Sequence, residues 1–249
     1  MFRAVLAIFC TAIVFLIFLK APLWTMVVSL VLFVAIVAWG SFDIRQNFFL
    51  KSLSKQTLPA GKTVALTFDD GPTEFTPEFL ALLKKTDAKA TFFCIGRQVE
   101  KHPAILAQVM ADGHEIGNHT FSHLHRTGFM GTQDLVTEIK SCDRALQKAG
   151  NVQTQLYRPP FGVTNPNIAK AVQSTGKISI GWNVRSLDTV IKDEKQIAQR
   201  VLNKIQPGCI VLMHDTSLKS LKALEILLLN LKQQGYRFVT VSTLLNLNN

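Results

Sequence analysis

The sequence predicts an α/β protein in which a parallel, barrel-like sheet follows an N-terminal hairpin of two membrane-spanning helices. Three observations predict this fold class. Two uncharged apolar segments fill most of the first forty residues, short strands alternate with helical segments after residue 62, and reactive side chains follow several of the strands. Such alternation is typical of a parallel sheet with helices outside it.

The first element is the apolar hairpin. Residues 4–19 and 23–39 carry no charge, and Lys20 to Pro22 separate them. A helix needs about 20 apolar residues to cross a bilayer, so the second segment qualifies and the first is marginal. The alternative is a signal peptide followed by a single anchor. We favour the hairpin and divide the chain into an anchor (1–42), a juxtamembrane connector (43–60) and a folded domain (61–249).

Charge and cysteine content exclude several classes of protein. The net charge is +10 and the pI is about 9.6, but the basic residues form no run, so we predict no nucleic-acid partner. Basic residues are more frequent after the second apolar segment than between the two, which mildly favours a cytoplasmic domain. The four cysteines include no C-x-x-C pair, which argues against a disulfide framework or a cysteine-rich zinc site.

The folded domain alternates between strand and helix patterns. Seven segments rich in β-branched or aromatic residues are predicted as strands: Val64–Phe68, Ala90–Ile95, Glu115–Gly117, Gln155–Arg158, Ile178–Val184, Cys209–Met213 and Phe238–Val241. Six segments between them are predicted as helices: Pro77–Lys85, Pro103–Ala111, Gln133–Ala149, Asn167–Ser174, Lys195–Ile205 and Leu218–Gln234. Seven strands in this length favour a barrel over an open sheet.

Polar residues cluster where these strands end. They are Asp69, Asp70, His119, His123, Arg158, Asp188, His214 and Asp215. Sites in parallel α/β proteins form at the carboxyl ends of the strands, so we expect these side chains to meet on one face.

The paired histidines and carboxylates predict a catalytic metal site. His119 and His123 are four residues apart and share a face if the segment is helical. The adjacent carboxylates of Asp69 and Asp70 repel one another, and a bound divalent cation removes the cost of that repulsion. Two histidines and one carboxylate leave open positions on a metal, and the other carboxylate is then free to act as a base towards a water. The H-E-x-x-H pattern of zinc peptidases is absent.

Three further residues fit roles around such a site. His214 is a titratable group able to give a proton to a leaving group, although a second role as a buried structural histidine is equally compatible. Arg158 can orient the base carboxylate through a charge-assisted hydrogen bond. The two prolines before Phe161 stiffen the backbone, so the Phe161 N–H is a candidate oxyanion donor.

The motifs TFDDGP (67–72), HTFSH (119–123), RPPFG (158–162) and LMHD (212–215) resemble those of the polysaccharide deacetylases, the NodB-homology group or carbohydrate esterase family 4. The resemblance covers roughly residues 60–245. It implies a deformed (β/α)7-type barrel that removes N-acetyl groups from amino-sugar polymers with a divalent metal, usually zinc. The implied roles are then distributed as follows: Asp69 is the general base; Asp70, His119 and His123 are the metal ligands; Phe161, beside Pro160, holds the oxyanion; His214 is the general acid; and Leu212 lines the acetyl pocket.

One motif departs from the family pattern. The family often carries Asp-x-x-Asp-Trp after the fifth strand, and its first Asp braces the arginine matched here by Arg158. This chain has Arg185 and Thr189 in place of that first Asp and the Trp, and it retains Asp188. We expect Asp188 to contribute to the substrate side of the site and to pair with Arg158 or Arg185. Phe129, Met130 and Trp182 are candidates for lining a groove, but a place in the core is the stronger expectation for them.

The predicted function is metal-dependent removal of N-acetyl groups from a peptidoglycan- or chitin-like glycan, the expected partner of an enzyme held in the cell membrane. The resemblance favours an extracytoplasmic domain, against the weak indication from the basic residues. Two alternatives remain open at this point. One is a deacylase of a lipid-linked sugar at the membrane surface, and the other is a non-catalytic glycan-binding membrane protein.

Overall fold

Nine strands and ten α-helices make up residues 1–247, the part of the chain that the computed structural model describes. The strands are β1 (Ser52–Leu53), β2 (Thr63–Asp69), β3 (Ala90–Cys94), β4 (Glu115–Asn118), β5 (Leu156–Tyr157), β6 (Ile178–Ile180), β7 (Val184–Arg185), β8 (Ile210–His214) and β9 (Arg237–Phe238). The helices are α1 (Phe2–Phe18), α2 (Leu23–Phe42), α3 (Thr76–Lys85), α4 (Gly96–Lys101), α5 (Pro103–Ala111), α6 (Thr132–Gly150), α7 (Pro166–Ser174), α8 (Glu194–Leu202), α9 (Leu218–Gln233) and α10 (Val241–Leu245).

The strands form one curled parallel sheet, which confirms the predicted α/β barrel class. Its order is β1-β6-β5-β4-β3-β2-β8-β7, and β9 pairs with the start of β2. Every ladder between these strands is parallel. The carboxyl ends of the strands therefore lie on one rim of the barrel, as the positions of the polar residues require.

Alternate residues of the central strands face the inside and the outside of the barrel. Ala65 on β2 and Ile210 and Leu212 on β8 belong to an inner apolar cluster. Their neighbours Leu66 and Val211 belong to the larger cluster that packs beneath the surrounding helices. Successive side chains of a strand point to opposite faces, so this alternation also fixes which side chains at the ends of β2 and β8 face inward.

The predicted strand over Ile178–Val184 is wrong as one continuous element. β6 ends at Ile180 and pairs with β5, whereas β7 begins at Val184 and pairs with β8, near the other end of the strand order. Gly181 lies at the break, where an added Cβ would collide with the Ser54 hydroxyl. The segment changes partner at this point, from β5 to β8, and the absence of a side chain at Gly181 lets its backbone lie close to the segment around β1.

The connector contributes to the sheet. Ser52 and Leu53 form β1, paired in parallel register with Ser179 and Ile180, and Lys55 then bridges Cys209 at the start of β8. Residues 52–56 therefore span the gap between β6 and β8. At the other end of the chain, the predicted strand Phe238–Val241 stops at Phe238, and Thr240 caps α10 by accepting a hydrogen bond from the Thr243 N–H.

The N-terminal residues form the expected helical hairpin. The rings of Phe9 on α1 and Phe33 on α2 stack with centroids 4.3 Å apart. Among residues 1–247, α2 is the one helix whose length and mean hydropathy of 2.3 are sufficient to cross a membrane, and a signal sequence would satisfy the same criterion. α1 has 17 residues, which is shorter than that criterion requires.

Candidate active site

Asp69 and Asp70 end β2 with their carboxylates directed to different partners. The alternation along β2 places Thr67 and Asp69 on the inner face with Ala65. Asp70 then adopts a left-handed conformation with φ of 74°, which turns its side chain away from that of Asp69. Asp69 approaches Arg158 and Asp70 approaches two histidines, so the predicted division between the neighbouring carboxylates is present in the geometry.

Arg158 holds Asp69 from inside the barrel. Its Nη1 donates to Asp69 Oδ1 and to Thr67 Oγ1, each at 2.7 Å, and the side chain is fully buried. Its other donors reach the backbone carbonyls of Ile180 and Gly181 at 3.2 and 2.9 Å. Burial lowers the pKa of Arg158, and the Asp69 charge offsets part of that effect. In the family pattern an acid braces this arginine, whereas here two backbone carbonyls do so. The Arg158 guanidinium also lies over the Phe93 ring, 4.1 Å from its centroid.

Asp70, His119 and His123 come together as the predicted metal-ligand set. One ligand atom from each lies within 4.8 Å of the others. Asp70 Oδ1 is 3.5 Å from His119 Nε2 and 3.4 Å from His123 Nε2. That carboxylate oxygen is buried and makes no hydrogen bond within the described residues. A buried carboxylate oxygen facing two imidazole nitrogens fits a divalent cation, and this donor set suits zinc.

The surroundings of both histidines suit metal binding. The Nδ1 of His119 lies 2.8 Å from the Arg158 carbonyl oxygen, so Nδ1 donates a hydrogen bond to it, and Nε2 is the nitrogen that faces Asp70. Burial, assisted by the neighbouring His119, lowers the pKa of His123 to about 4. Neutral imidazole nitrogens are the form that binds metal.

The two histidines do not share a helix face. They lie in a loop after β4 in which Thr120 and His123 both have positive φ, of 66° and 48°. The Asn118 side chain accepts a hydrogen bond from the Thr120 N–H, and Glu138 on α6 accepts from the N–H and hydroxyl of Ser122. These side-chain acceptors replace helical hydrogen bonds, so the loop itself sets the spacing of the ligands.

His214 ends β8 on the inner face, in register with Asp69. The ring Nδ1 of His214 is 2.8 Å from Asp188 Oδ1, and the backbone N–H of His214 donates to Asp188 Oδ2 at 2.8 Å. Burial alone would lower the pKa of His214, but the hydrogen bond and charge of Asp188, with the charges of Asp69 and Asp70, raise it to about 9. A protonated imidazole close to Asp70 is placed to act as an acid.

The expected pairing of Asp188 with Arg158 or Arg185 is wrong. Asp188 is fully buried and, besides His214, it accepts a hydrogen bond from the Ser186 hydroxyl at 2.9 Å. Burial raises the pKa of Asp188, and its bonds to His214 and Ser186 more than reverse this, so that its pKa is lowered. Leu187 has a φ of 60°, which turns the loop so that Asp188 faces β8 instead of β5. Asp188 therefore positions His214, and its carboxylate oxygens are bonded to His214 and Ser186.

The loop after β5 carries the proposed oxyanion donor. Pro160 is buried, and Phe161 takes a left-handed conformation with φ of 60° in a short turn closed by the Gly162 and Val163 N–H groups. These two hydrogen bonds do not use the Phe161 N–H. The Phe161 ring packs 4.7 Å from the His123 ring. Leu212 lies on the inner face of β8 and is buried against the apolar cluster there.

Comparisons with known proteins agree with this geometry. The model of the family described as polysaccharide deacetylase matches residues 57–178. A peptidoglycan-N-acetylglucosamine deacetylase of Bacillus cereus is 37% identical over 190 residues, which are 74% of this chain and 88% of that protein. The chain belongs to the polysaccharide deacetylase family. It is accordingly a hydrolase of that class.

Solved structures of two relatives of this deacetylase share its fold. The peptidoglycan deacetylase PdaC of Bacillus subtilis superposes with a TM-score of 0.70 at 32% identity, covering 76% of this chain and 92% of that one. BA3943 of Bacillus anthracis, described as a CE4 family pseudoenzyme, superposes with a TM-score of 0.72 at 30% identity, covering 78% and 68%. The fold is thus shared with PdaC, which is described as a deacetylase, and with BA3943, which is described as a pseudoenzyme.

Asp215 is a functional-site residue of the deacetylase to which the sequence alone assigns no role. It is fully buried, its Oδ2 accepts a hydrogen bond from the Thr76 hydroxyl, and burial raises its pKa to about 7. The Thr73 hydroxyl donates to the Asp215 carbonyl. An added Cβ at Gly71 would meet the Asp215 carboxylate at 2.5 Å. Asp215 therefore fixes the loop that follows Asp69 and Asp70. The sequence feature that could have indicated this contact is the pair of threonines in that loop, Thr73 and Thr76.

Proposed function

We propose that this protein removes N-acetyl groups from the amino sugars of a peptidoglycan- or chitin-like glycan, with a divalent cation, Zn²⁺, held by Asp70, His119 and His123. The observation that carries the proposal is the meeting of these three residues with the Asp69–Arg158 and Asp188–His214 pairs on one rim of the barrel. When bound there, the cation polarises the acyl oxygen and makes a water more acidic.

The residues of the chain then supply positioning and proton transfer. Asp69, fixed by Arg158, takes a proton from the water that attacks the acetamide carbon. The Phe161 N–H donates a hydrogen bond to the oxyanion that forms. His214, kept protonated by Asp188, gives its proton to the amine as the carbon–nitrogen bond breaks, and acetate and a free amino sugar leave. Leu212 closes the apolar side of the acetyl pocket.

The substrate assignment is supported by the named relative, which acts on peptidoglycan N-acetylglucosamine. We further propose that α1 and α2 anchor the protein in the cell membrane with the barrel outside the cytoplasm, where such a glycan is found. The support is the apolar character of the hairpin, of which the α2 span is only 6% buried within the protein. A reporter fused to the C-terminus and tested from each side of the membrane checks the orientation.

The test of the proposed function is acetate release. Full-length protein loaded with Zn²⁺ is expected to release acetate from N-acetylchitooligosaccharides and peptidoglycan, to stop after chelation and to recover when metal is returned. No release from any acetylated glycan by a metal-loaded sample would leave the non-catalytic alternative as the better account.

A matched pair of histidine variants tests the metal ligands independently of turnover. His119→Ala removes one of the three donors, so we expect its metal content to fall to near zero. His125→Ala changes an exposed histidine of the same loop that is outside the ligand set, and we expect it to keep its metal. Metal content is measured by mass spectrometry of the purified proteins. Equal content in both variants would reject His119 as a ligand.

A further inference from the structure

An apolar groove runs between the end of α2 and the rim of the barrel. We call it the anchor groove, and its volume is about 510 Å³, within the usual range of ligand sites. Its walls include residues of the last turn of α2 and of two loops at the rim: Ala38, Ser41, Phe42, Phe129, Phe161 and Val163. Within the described residues, its lining contains no Lys, Arg, Asp or Glu.

The anchor groove has a fixed shape because α2 is bonded to the rim. The Thr164 N–H donates to the Ser41 carbonyl at 2.9 Å, and the Thr164 hydroxyl reaches the Gly40 carbonyl at 3.4 Å. Gly40 lies directly against the Phe48 ring, where any Cβ would collide. The last turn of α2 is thus part of the folded domain and not the start of a free tether.

One end of the anchor groove reaches the reactive centre. Phe161 forms part of its wall, and the same ring packs 4.7 Å from His123 and stacks 5.7 Å from His125. The backbone N–H of Phe161 is the proposed oxyanion donor. The groove therefore adjoins the residue whose N–H is the proposed oxyanion donor.

The other end opens onto the apolar surface of α2. Trp39 and Phe42 are 60% and 73% exposed, and Phe129 on the facing loop is 92% exposed, which contradicts the expectation that Phe129 is a core residue. Large apolar side chains exposed together mark a binding surface. Phe42 belongs both to the exposed surface of α2 and to the lining of the groove, so the two apolar surfaces adjoin. An apolar chain can therefore contact both at once.

The lining of the groove suits an apolar chain better than a sugar. Apolar side chains form most of its wall, and two of the four polar side chains in the lining already have partners: Asn165 donates to the Gly128 carbonyl at 2.7 Å, and the Thr164 hydroxyl donates to the Gly40 carbonyl at 3.4 Å. The other two are Ser41 and His125. Most hydroxyls of a glycan placed against the Phe42, Phe129 and Val163 side chains would lose water without gaining a partner, which is unfavourable. The lining therefore favours a hydrocarbon occupant over a glycan.

We propose that the anchor groove holds the hydrocarbon chain of a membrane lipid that carries an N-acetylated amino sugar, so that the enzyme acts on lipid-linked sugar. This inference rests on the proposed function, which supplies the hydrolysis, and on α2 lying in the membrane. The reaction is unchanged: water adds its oxygen to the acetyl carbon, the carbon–nitrogen bond breaks, and the amine takes the proton. The groove adds affinity for one class of substrate.

A pair of substrates and a pair of variants test the proposal. The full-length, Zn²⁺-loaded protein is placed in phosphatidylcholine nanodiscs and given tri-N-acetylchitotriose or its hexadecyl glycoside. Ala38→Trp fills the groove, whereas Ala35→Trp makes the same change one turn earlier, at an exposed position outside it. We expect the ratio of kcat/KM for the hexadecyl over the free sugar to fall about tenfold or more in Ala38→Trp, a loss of one decade of affinity. The ratio stays at the wild-type value in Ala35→Trp.

A binding readout separates this proposal from the proposed function. The hexadecyl glycoside carries a photoreactive diazirine in its chain, and a phosphatidylcholine with the same label is the control. We expect the glycoside to cross-link residues 160–165 and to lose that product in Ala38→Trp. If it does so while neither sugar is hydrolysed, the groove stands and the deacetylase activity fails. An unchanged ratio in Ala38→Trp, or a cross-linking pattern identical to that of the control lipid, overturns the groove.

Discussion

Neighbouring residues of one strand end carry different duties in this site because the backbone turns between them. Asp69 keeps the inward direction of β2 and bonds to Arg158, whereas Asp70, at positive φ, faces His119 and His123. Neither carboxylate has to serve as base and ligand at once. Changing one of them should therefore separate proton transfer from metal binding.

Asp69→Asn is expected to lose turnover and to keep metal. An amide of the same shape cannot accept the proton of the attacking water, so kcat should fall by about 10²–10⁴-fold. The variant also leaves the buried Arg158 without its counter-charge, so its melting temperature should decrease. Steady-state rates, metal content and thermal unfolding are measured on the same sample. A rate close to wild type in the metal-loaded variant would remove Asp69 as the base.

Asp188→Asn should move the alkaline limb of the rate profile to lower pH. Asp188 is the main reason that the pKa of His214 is raised from 6.5 to about 9. A raised pKa means that the proton is present below it and is lost as the pH rises through it. The same shift stabilises the folded state fully below about pH 6.5 and no longer above pH 9. The measurement is kcat against pH for both proteins, and coincident alkaline limbs would contradict the role given to Asp188.

At the scale of single elements, the loop after β5 depends on a glycine for its close approach to β6. Gly162 has a φ of 69°, and a Cβ there would collide with the Trp182 indole. Trp182 in turn lies 5.5 Å from the Arg158 guanidinium. The position of the Phe161 N–H is thus tied to the packing that holds Arg158.

Two glycine variants separate backbone strain from that collision. Gly176 has a similar φ of 65°, and an added Cβ there would meet no atom within 4 Å. Gly176→Ala should therefore lower the free energy of unfolding by about 1 kcal/mol, the cost of the left-handed conformation alone. Gly162→Ala adds the clash with Trp182 and displaces Phe161, so it should be less stable than Gly176→Ala and also lower kcat. Denaturant unfolding and acetate release give the two readouts. Equal stability with unchanged kcat would show that the loop can shift without consequence.

Long, regular elements and strand-end residues were predictable from sequence, and irregular contacts were not. The residues Asp69, Asp70, His119 and His214 follow apolar strands, and parallel strands end on one rim, so their meeting follows from the pattern. The Asp188–His214 bond depends on the positive φ of Leu187, which has no sequence signal because leucine rarely adopts it. β1 contains two residues and therefore shows no periodicity, although its pairing closes the sheet.

At the scale of the whole molecule, the connector is a structural part of the barrel. β1 covers the open edge of β6, and the Gln56 N–H donates to the Gly208 carbonyl at 2.8 Å near the start of β8. Residues from the inner cluster, such as Ile180 and Ile210, lie next to this closure. Its removal should expose apolar surface from inside the barrel.

Two truncated proteins test this role. A chain that begins at Asp43 lacks the hairpin and keeps β1, whereas a chain that begins at Gly61 lacks both. The second should melt several degrees below the first, since about 1 kcal/mol corresponds to roughly 2–4 °C for a domain of this size. Both are compared by circular dichroism at equal concentration. Identical melting temperatures would mean that β1 merely lies on the surface.

The pairing of β1 also has a consequence for the order of assembly during synthesis. Ser52 leaves the ribosome early, but its partner Ser179 and the bridge at Cys209 are made more than a hundred residues later. β1 is therefore synthesised early but can pair only after most of the barrel has been translated. Pairings between residues so far apart in sequence slow folding. A nascent chain stalled before residue 209 contains all three proposed metal ligands, Asp70, His119 and His123, but lacks β8 and therefore a complete sheet.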